Sequence, residues 1–290
     1  MKMKPDRGIE GAMRVYSAAP ALLAPGVLLR DMVRDFKLSI ALGWQLAARD
    51  LKAQYRQSLL GYLWALLPPL LVAASFIALK AGGVFSAESI GVPYGVYVII
   101  GTLLWQIFAD AVVAPLRLVI ASREMLVRVN FPREAIVLAG LFVTFFGALV
   151  RLAVAVPILV YYQVEPTLDL LYVPFGVLSL ILAGTCVGLL VTPVGVLYRD
   201  VEKALPALLM LWLLLTPVAY PIATAAGEPG WLAFNFASPL LEAARSALIG
   251  GAPIAWSTLA VVNGAVLLAL LAGWLLLRLA APHLVARLGI

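Results

Sequence analysis

Ionisable residues are rare in the apolar stretches of this 290-residue sequence, so the few that occur there are the first places to look for chemistry. Asp110 and Arg151 each interrupt an otherwise uncharged apolar run. A charge held inside a membrane is costly and faces a bundle interior or a wet cavity. Two readings stand for each residue: a charge that lines a path, or an interhelical hydrogen bond that holds a bundle. Counted from the centres of their segments at 1.5 Å per residue, the two differ in depth by roughly 12 Å, which argues against a direct pair. Two isolated charges without repeated halves do not make the relay of an ion-coupled carrier. Glu242 and Arg245 lie three apart on a short helical segment after Pro239, a spacing that lets them pair on one face. That pair is either a plain surface pair or a brace for a folded-back hairpin.

The remaining candidates are sparse. Cys186 is the only cysteine, so the chain has neither an internal disulfide nor a C-x-x-C motif. The only histidine, His283, reads as a solvated or lipid-facing side chain. There is no G-x-x-x-x-G-K-[ST] phosphate loop, H-E-x-x-H, G-x-S-x-G or EF-hand loop. No catalytic or metal site is therefore expected, and energy must come from another molecule. Aromatic residues gather at Trp105, Phe108, Phe142, Phe145, Phe146, Tyr161 and Tyr162. Their spacing does not distinguish an interfacial belt or core packing from the lining of a path.

The elements that position these residues are set by composition. Hydrophobic residues make up 63% of the chain and charged residues 12%. An ordinary soluble domain is about 45–50% apolar and about 25% charged. The mean hydropathy of +1.02 excludes a soluble enzyme, a disordered chain and a nucleic-acid-binding module. The unit of organisation is a membrane span of about 20 residues. Six are expected, near 59–79, 94–116, 135–162, 172–197, 204–220 and 255–278, with a kink at Pro68-Pro69 in the first. Ahead of them, Phe36, Ile40, Trp44, Ala47, Leu51, Tyr55 and Leu59 form one helical stripe, while Gln45, Arg49, Lys52 and Arg56 form another. This pattern predicts a basic amphipathic helix over 36–58, lying in a membrane interface. Residues 1–35 read as a mostly irregular tail, and 281–290 as a second tail. The loop 117–134 is basic and helix-like up to Asn130. The segment 221–253 is too polar and broken to span, and reads as re-entrant.

The basic residues orient the chain. Residues 1–58, 117–134, 198–203 and 278–290 carry ten, four, two and two Lys/Arg, eighteen of the 21 in the sequence. The positive-inside rule places these segments and both termini in the cytoplasm. The net charge of +6 is therefore an orientation signal and a contact for lipid headgroups, not a nucleic-acid surface.

Five segments carry a family resemblance. DLKAQYRQSLLGYLWALLPPLL (50–71), GTLLWQIFADAV (101–112), VRVNFPREAIVLAG (127–140), LYRDVEKALP (197–206) and SPLLEAARSALIG (238–250) resemble, in order, polysaccharide-exporting ABC transporter permeases of the type-2 exporter fold. These are the membrane subunits of O-antigen, capsule and teichoic acid export. The resemblance implies an all-α, six-span permease domain over 59–280 in a bacterial inner membrane. It implies a homodimer served by two cytoplasmic ATPase subunits that hold the ATP and Mg, with no cofactor on this chain. The cargo would be a lipid-linked polysaccharide.

The same resemblance distributes roles. Arg123, Glu124, Arg128, Phe131, Pro132, Arg133 and Glu134 would form the coupling and gate loop, with Arg128 meeting the ATPase. Arg49, Lys52, Tyr55, Arg56 and Trp64 would stand at the inner entrance among membrane lipids, and Arg199 and Asp200 on an inner loop; the competing reading has Arg49, Lys52, Arg56 and Arg128 meet the pyrophosphate that heads the lipid-linked chain. Pro239, Glu242 and Arg245 would form an outer gate. Arg151 and the clustered aromatics would be candidates for the path. Competing readings are a type-2 exporter of drugs or small lipids, and a membrane scaffold that transports nothing.

Overall fold

A computed structural model describes residues 25–56, 61–83, 92–128, 134–220, 235–250 and 254–288. Phe131, Pro132 and Arg133 lie outside these, as do most of the N-terminal tail and 221–234. Among the described residues the chain is helical, with no strand.

The first helix, α1 (Pro25–Tyr55), starts eleven residues earlier than the periodicity suggested. A proline in the first turn gives up an N–H that the helix does not use, and the fixed φ of Pro25 suits helix entry. The buried face of α1 also differs from the expected stripe. Ser39, Gly43, Leu46 and Ala47 are buried, whereas Ile40 and Trp44 face outward. Small residues let α1 lie close against α5 (Glu134–Tyr161): a Cβ on Gly43 would sit 2.9 Å from Leu138 Cβ. The outward Ile40 and Trp44 suit a lipid interface. Trp44 also meets the edge of Phe142 at 5.6 Å.

Five stretches among the described residues are long and apolar enough to cross a membrane: Leu63–Ala81, Tyr94–Ala121, Glu134–Tyr161, Leu168–Leu197 and Trp256–Arg278. They contain α2 (Leu67–Ala81), α3 (Tyr94–Ala121), α5, α6 (Val173–Leu197) and the first part of α9 (Trp256–Leu288). Just ahead of Pro68 and Pro69 the first span changes from a 3-10 turn to α-helix. The two prolines lie in the opening turn of α2, behind a 3-10 turn at Gly61–Ala65. The helix expected over 204–220 lies five residues earlier in the chain. Helix α7 (Arg199–Leu215) has 17 residues, is charged at its start and ends five residues before the expected boundary. The loop expected at 117–134 begins as helix: α3 runs on to Ala121 with Leu118 and Val119 buried. Ser122 then breaks the chain before the short α4 (Arg123–Arg128).

Helix α3 is the hub, packed on α2, α5, α6, α7 and α8 (Ala237–Ile249). Its seam with α6 is built on glycine. A Cβ at Gly184 would lie 2.5 Å from the Phe108 carbonyl oxygen, and Gly188 faces Val112 and Pro115 in the same way. Lipid gives helices no hydrophobic reason to associate, so close backbone approach at small residues supplies much of the attraction. Farther along, Gly176 takes α6 onto Ala244 of α8, and α9 packs on the other side of α6.

Candidate functional site

A cavity of about 440 Å³ opens between α2, α3, α5 and α7, with Leu51 and Gln54 of α1 at one end. Its lining is mainly apolar, from residues such as Val72, Val113, Val150 and Leu213. The polar exception is a cluster around Asp110. Arg151 Nη2 donates to Asp110 Oδ2 at 2.6 Å, and Gln106 Nε2 donates to Oδ1 at 2.8 Å. Arg151 is only 3% exposed while the Asp110 side chain is 39% exposed, so the carboxylate is the member that meets the cavity.

This direct pair corrects the expectation drawn from depth. Side chains on a helix lean toward its N-terminus. Helices α3 and α5 run antiparallel, so Asp110 and Arg151 lean toward each other. Gly147, one turn before Arg151, leaves the lane open: a Cβ there would lie 3.0 Å from Arg151 Nη1. Counting Cα depth alone ignores both leans and the length of the arginine side chain.

Two further ion pairs join different helices. Arg117 Nη2 on α3 reaches Asp50 Oδ2 on α1 at 3.3 Å. Arg278 Nη1 on α9 donates to Glu134 Oε1 at 2.8 Å, in the first turn of α5.

Arg245 forms a second centre. It is 1% exposed, and its Nη1 donates to the carbonyls of Pro217 (3.0 Å) and Val218 (3.1 Å). Its Nη2 pairs with Glu242, and the guanidinium lies over the Tyr97 ring at 3.8 Å. The pair expected from the three-residue spacing is thus formed, with the arginine buried. Tyr94 and Tyr97 donate to the carbonyls of Ala219 and Tyr220, at 2.9 and 3.3 Å. Asn235 Nδ2 donates to Thr216 Oγ1 (2.9 Å), and its Oδ1 accepts from Trp212 Nε1 (3.0 Å). Arg245 and the two tyrosines thus satisfy the carbonyls of the non-helical stretch Pro217–Tyr220, while the Thr216 carbonyl accepts from the Val218 N–H. Pro239 is half-buried in the opening turn of α8.

The other sequence candidates are spread widely. Trp105 and Phe108 are buried with Trp212 and Phe236 in an edge-to-face cluster, and Trp105 also reaches the cavity. Phe146 lines the cavity, and Phe142 packs near α1. Phe145, Tyr161 and Tyr162 are exposed, the tyrosines stacking edge-on at 5.1 Å. Arg49, Arg123 and Glu124 border a separate groove of about 500 Å³ beside α4. Lys52, Arg56, Trp64, Arg199 and Asp200 are exposed. The side chains of Tyr55 and Arg128 lie outside the described residues. The sequence reading missed Gln106, Asp50 and Asn235. Gln106 was readable as the residue one helical turn before Asp110, and Gly184-x-x-x-Gly188 as a small-residue packing motif.

Comparison with known proteins fits this architecture. The family model described as ABC-2 type transporter matches residues 42–249, most of the chain from α1 through α8. The chain belongs to the ABC-2 type transporter family. With its apolar helices, membership makes it an integral membrane protein and a permease. It is similar to the O-antigen export system permease protein RfbA of Klebsiella pneumoniae, 28% identical over 174 residues, covering 59% of this chain and 66% of that protein. It is also similar to the protein of the same name from Myxococcus xanthus, 27% identical over 198 residues, covering 68% of this chain and 75% of the relative. The match thus spans just under two thirds of the Klebsiella protein's length.

Proposed function

We propose that the chain is the membrane permease of an ATP-driven exporter that carries a lipid-linked polysaccharide, of the O-antigen or capsule kind, across a bacterial cytoplasmic membrane. The observation that carries this reading is the cavity: a half-open space with a polar cluster near the middle of α3 and α5. On its side, the 3-10 turn leaves Leu63 and Trp64 uncovered, α2 leaves Leu67 and Leu71, and α7 leaves Leu208, Leu211 and Leu214. A second copy set against these helices covers that surface and closes two half-cavities into one path. Helix α7, extended by Thr216–Tyr220, then acts as the fifth of six crossings.

The sequence carries no phosphate loop, so two copies of a cytoplasmic ATPase supply ATP, Mg and the hydrolysis step. The eighteen Lys/Arg of the segments 1–58, 117–134, 198–203 and 278–290 support a cytoplasmic position for both termini. Helix α1 lies along that face with Arg49, Lys52 and Arg56 toward headgroups. Arg123, Glu124 and Arg128 of α4 meet the ATPase, and its movement reaches the cavity through α3. The segment held by Arg245 closes the outer end.

The test is to co-express the chain with its partner ATPase, reconstitute the complex in vesicles and follow lipid-linked glycan across the bilayer. The expected result is a dimer that exports glycan only with hydrolysable ATP. A chain that binds no nucleotidase and does not dimerise returns the scaffold reading. Hydrolysis stimulated by small amphiphiles but not by glycan returns the exporter of drugs or small lipids.

A further inference from the structure

The polar cluster in the cavity has spare capacity that the fold does not use. Arg151 is buried, yet its Nε and Nη1 have no hydrogen-bond partner among the described residues. Arg117 Nε, at the same cavity, is likewise unpartnered. Leaving a buried donor unsatisfied costs free energy that folding alone does not repay. On the acceptor side, Asp110 takes one hydrogen bond on each oxygen, and a carboxylate offers about four lone-pair positions. Gly147 puts no side chain beside the guanidinium.

Charge decides what fits. The ionisable residues lining the cavity are Asp110, Arg117 and Arg151. Asp110 offsets Arg151, and Asp50 offsets Arg117. A cation would meet two guanidinium groups. A pyrophosphate would meet Asp110, the exposed member of its pair. A neutral ligand rich in hydroxyls meets neither penalty, because each hydroxyl both donates to a carboxylate and accepts from a guanidinium. Phe146, half-buried at the cavity wall, offers aromatic surface to the apolar C–H face of a sugar ring. At about 440 Å³ the cavity falls within the about 300–1,000 Å³ of small-molecule sites, which share its pattern of apolar walls with a few placed polar groups.

We propose that Asp110, Gln106 and Arg151 form a subsite for uncharged sugar residues of the transported chain, not for its phosphate headgroup. The subsite holds each passing sugar through its hydroxyls. This rests on the exporter reading above.

Saturation-transfer NMR on the intact exporter in nanodiscs, with maltotriose as the probe and inorganic pyrophosphate as the challenger, tests it. Transfer to the sugar ring protons is expected to persist with pyrophosphate present. Gln106→Leu, which keeps the Arg151–Asp110 pair, should weaken binding roughly two- to tenfold, the worth of one hydrogen bond. Asp110→Asn should act in the same direction. The proposal is overturned if maltotriose receives no transfer, if neither folded variant weakens it, or if pyrophosphate abolishes it. Glycan export by the wild-type complex separates the two readings. Export without a sugar signal removes the subsite and leaves the exporter; no export of glycan removes the exporter whatever the NMR shows.

Discussion

Replacing Gly184 by alanine adds one methyl group where α6 meets α3. The new Cβ would lie 2.5 Å from the Phe108 carbonyl oxygen and 2.6 Å from Ala111 Cβ. Ordinary contact starts near 3.4 Å, so the seam must open by about 0.9 Å. Neither obstacle is the end of a flexible side chain, so the helices themselves must part. A gap of about 0.5–1 Å forfeits a quarter to a half of each dispersion contact along its length. Leu180, Ile181, Leu189, Phe108 and Val112 all lie buried in this part of the core. Overpacking of this kind costs about 1–3 kcal/mol, and a contact against backbone belongs at the upper end. The helix-propensity gain of alanine over glycine returns about 1 kcal/mol. The net loss is about 2 kcal/mol. Gly264 on α9 provides the matched control, because a Cβ there meets nothing within 4 Å. Thermal unfolding of both variants in the same detergent should show Gly184→Ala several degrees below wild type and Gly264→Ala equal or higher. A Gly184→Ala protein as stable as wild type would refute the claim that backbone contact at this seam sets the α3–α6 distance.

Four other outcomes follow from the ion pairs and the buried arginine. Arg151→Met alone leaves Asp110 without its counter-charge and should destabilise more than the double change Arg151→Met with Asp110→Leu; the thermal-shift cycle reads the coupling directly. Arg245→Lys should lower thermal stability clearly, because an ammonium does not reproduce a planar fork serving two carbonyls, Glu242 and the Tyr97 face at once. Arg278→Ala strands the buried Glu134 carboxylate and should cost about 1–3 kcal/mol, and the companion change Glu134→Gln should recover part of it. Charge reversal at Arg128 should leave the dimer intact while separating ATP hydrolysis from glycan export in reconstituted vesicles; unchanged coupling would take α4 out of the ATPase contact.

The apolar runs located the five helices that are long and apolar enough to cross a membrane among the described residues, because length and hydropathy are local properties. The Glu242–Arg245 pair was also readable, since three residues on one helix fix two side chains in space. What local pattern did not carry was which face of a helix meets which neighbour. On α1, Ile40 and Trp44 of the expected stripe face outward while its Ala47 is buried, and Gly43, outside the stripe, meets α5. In water the large apolar face is the buried one. In lipid both faces are apolar, so fit decides, and small residues fit best. The Asp110–Arg151 pair failed for a related reason: it depends on antiparallel lean and on the space left by Gly147, neither of which a one-dimensional depth count contains. The early end of α7 goes with Asn235, which takes the Leu215 carbonyl, and with Arg245, Tyr94 and Tyr97, which take carbonyls of the stretch beyond it, all drawn from three other parts of the chain.

The two kinds of helix contact fall on different sides of α3, and that division bears on how the permease moves. Toward α6 the contact is glycine against backbone, through Gly184 and Gly188. Such a seam has no slack: sliding it drives a carbonyl into a Cα. Toward α1 and α5 the glycine contact is looser, a Cβ at Gly140 meeting Leu118 and Ala114 at an ordinary 3.4 Å or more, and long polar side chains add Asp110 to Arg151 and Arg117 to Asp50. A guanidinium–carboxylate pair tolerates changes in helix separation by rotating its side chains, so it keeps partners joined while the distance between backbones varies. Helices α3 and α6, with α8 held through Gly176, are therefore expected to behave as one rigid wall, and α1 and α5 as the wall that shifts against it. Helix α1 packs on α5 through Gly43, so a push on α1 from the membrane surface is delivered to α5, and hence to Arg151. Disulfides placed across each seam distinguish the two walls. A cross-link between α3 and α6 should leave export unaffected, whereas one between α3 and α5 should stop it. Equal arrest by both would mean that the glycine seam also moves during transport.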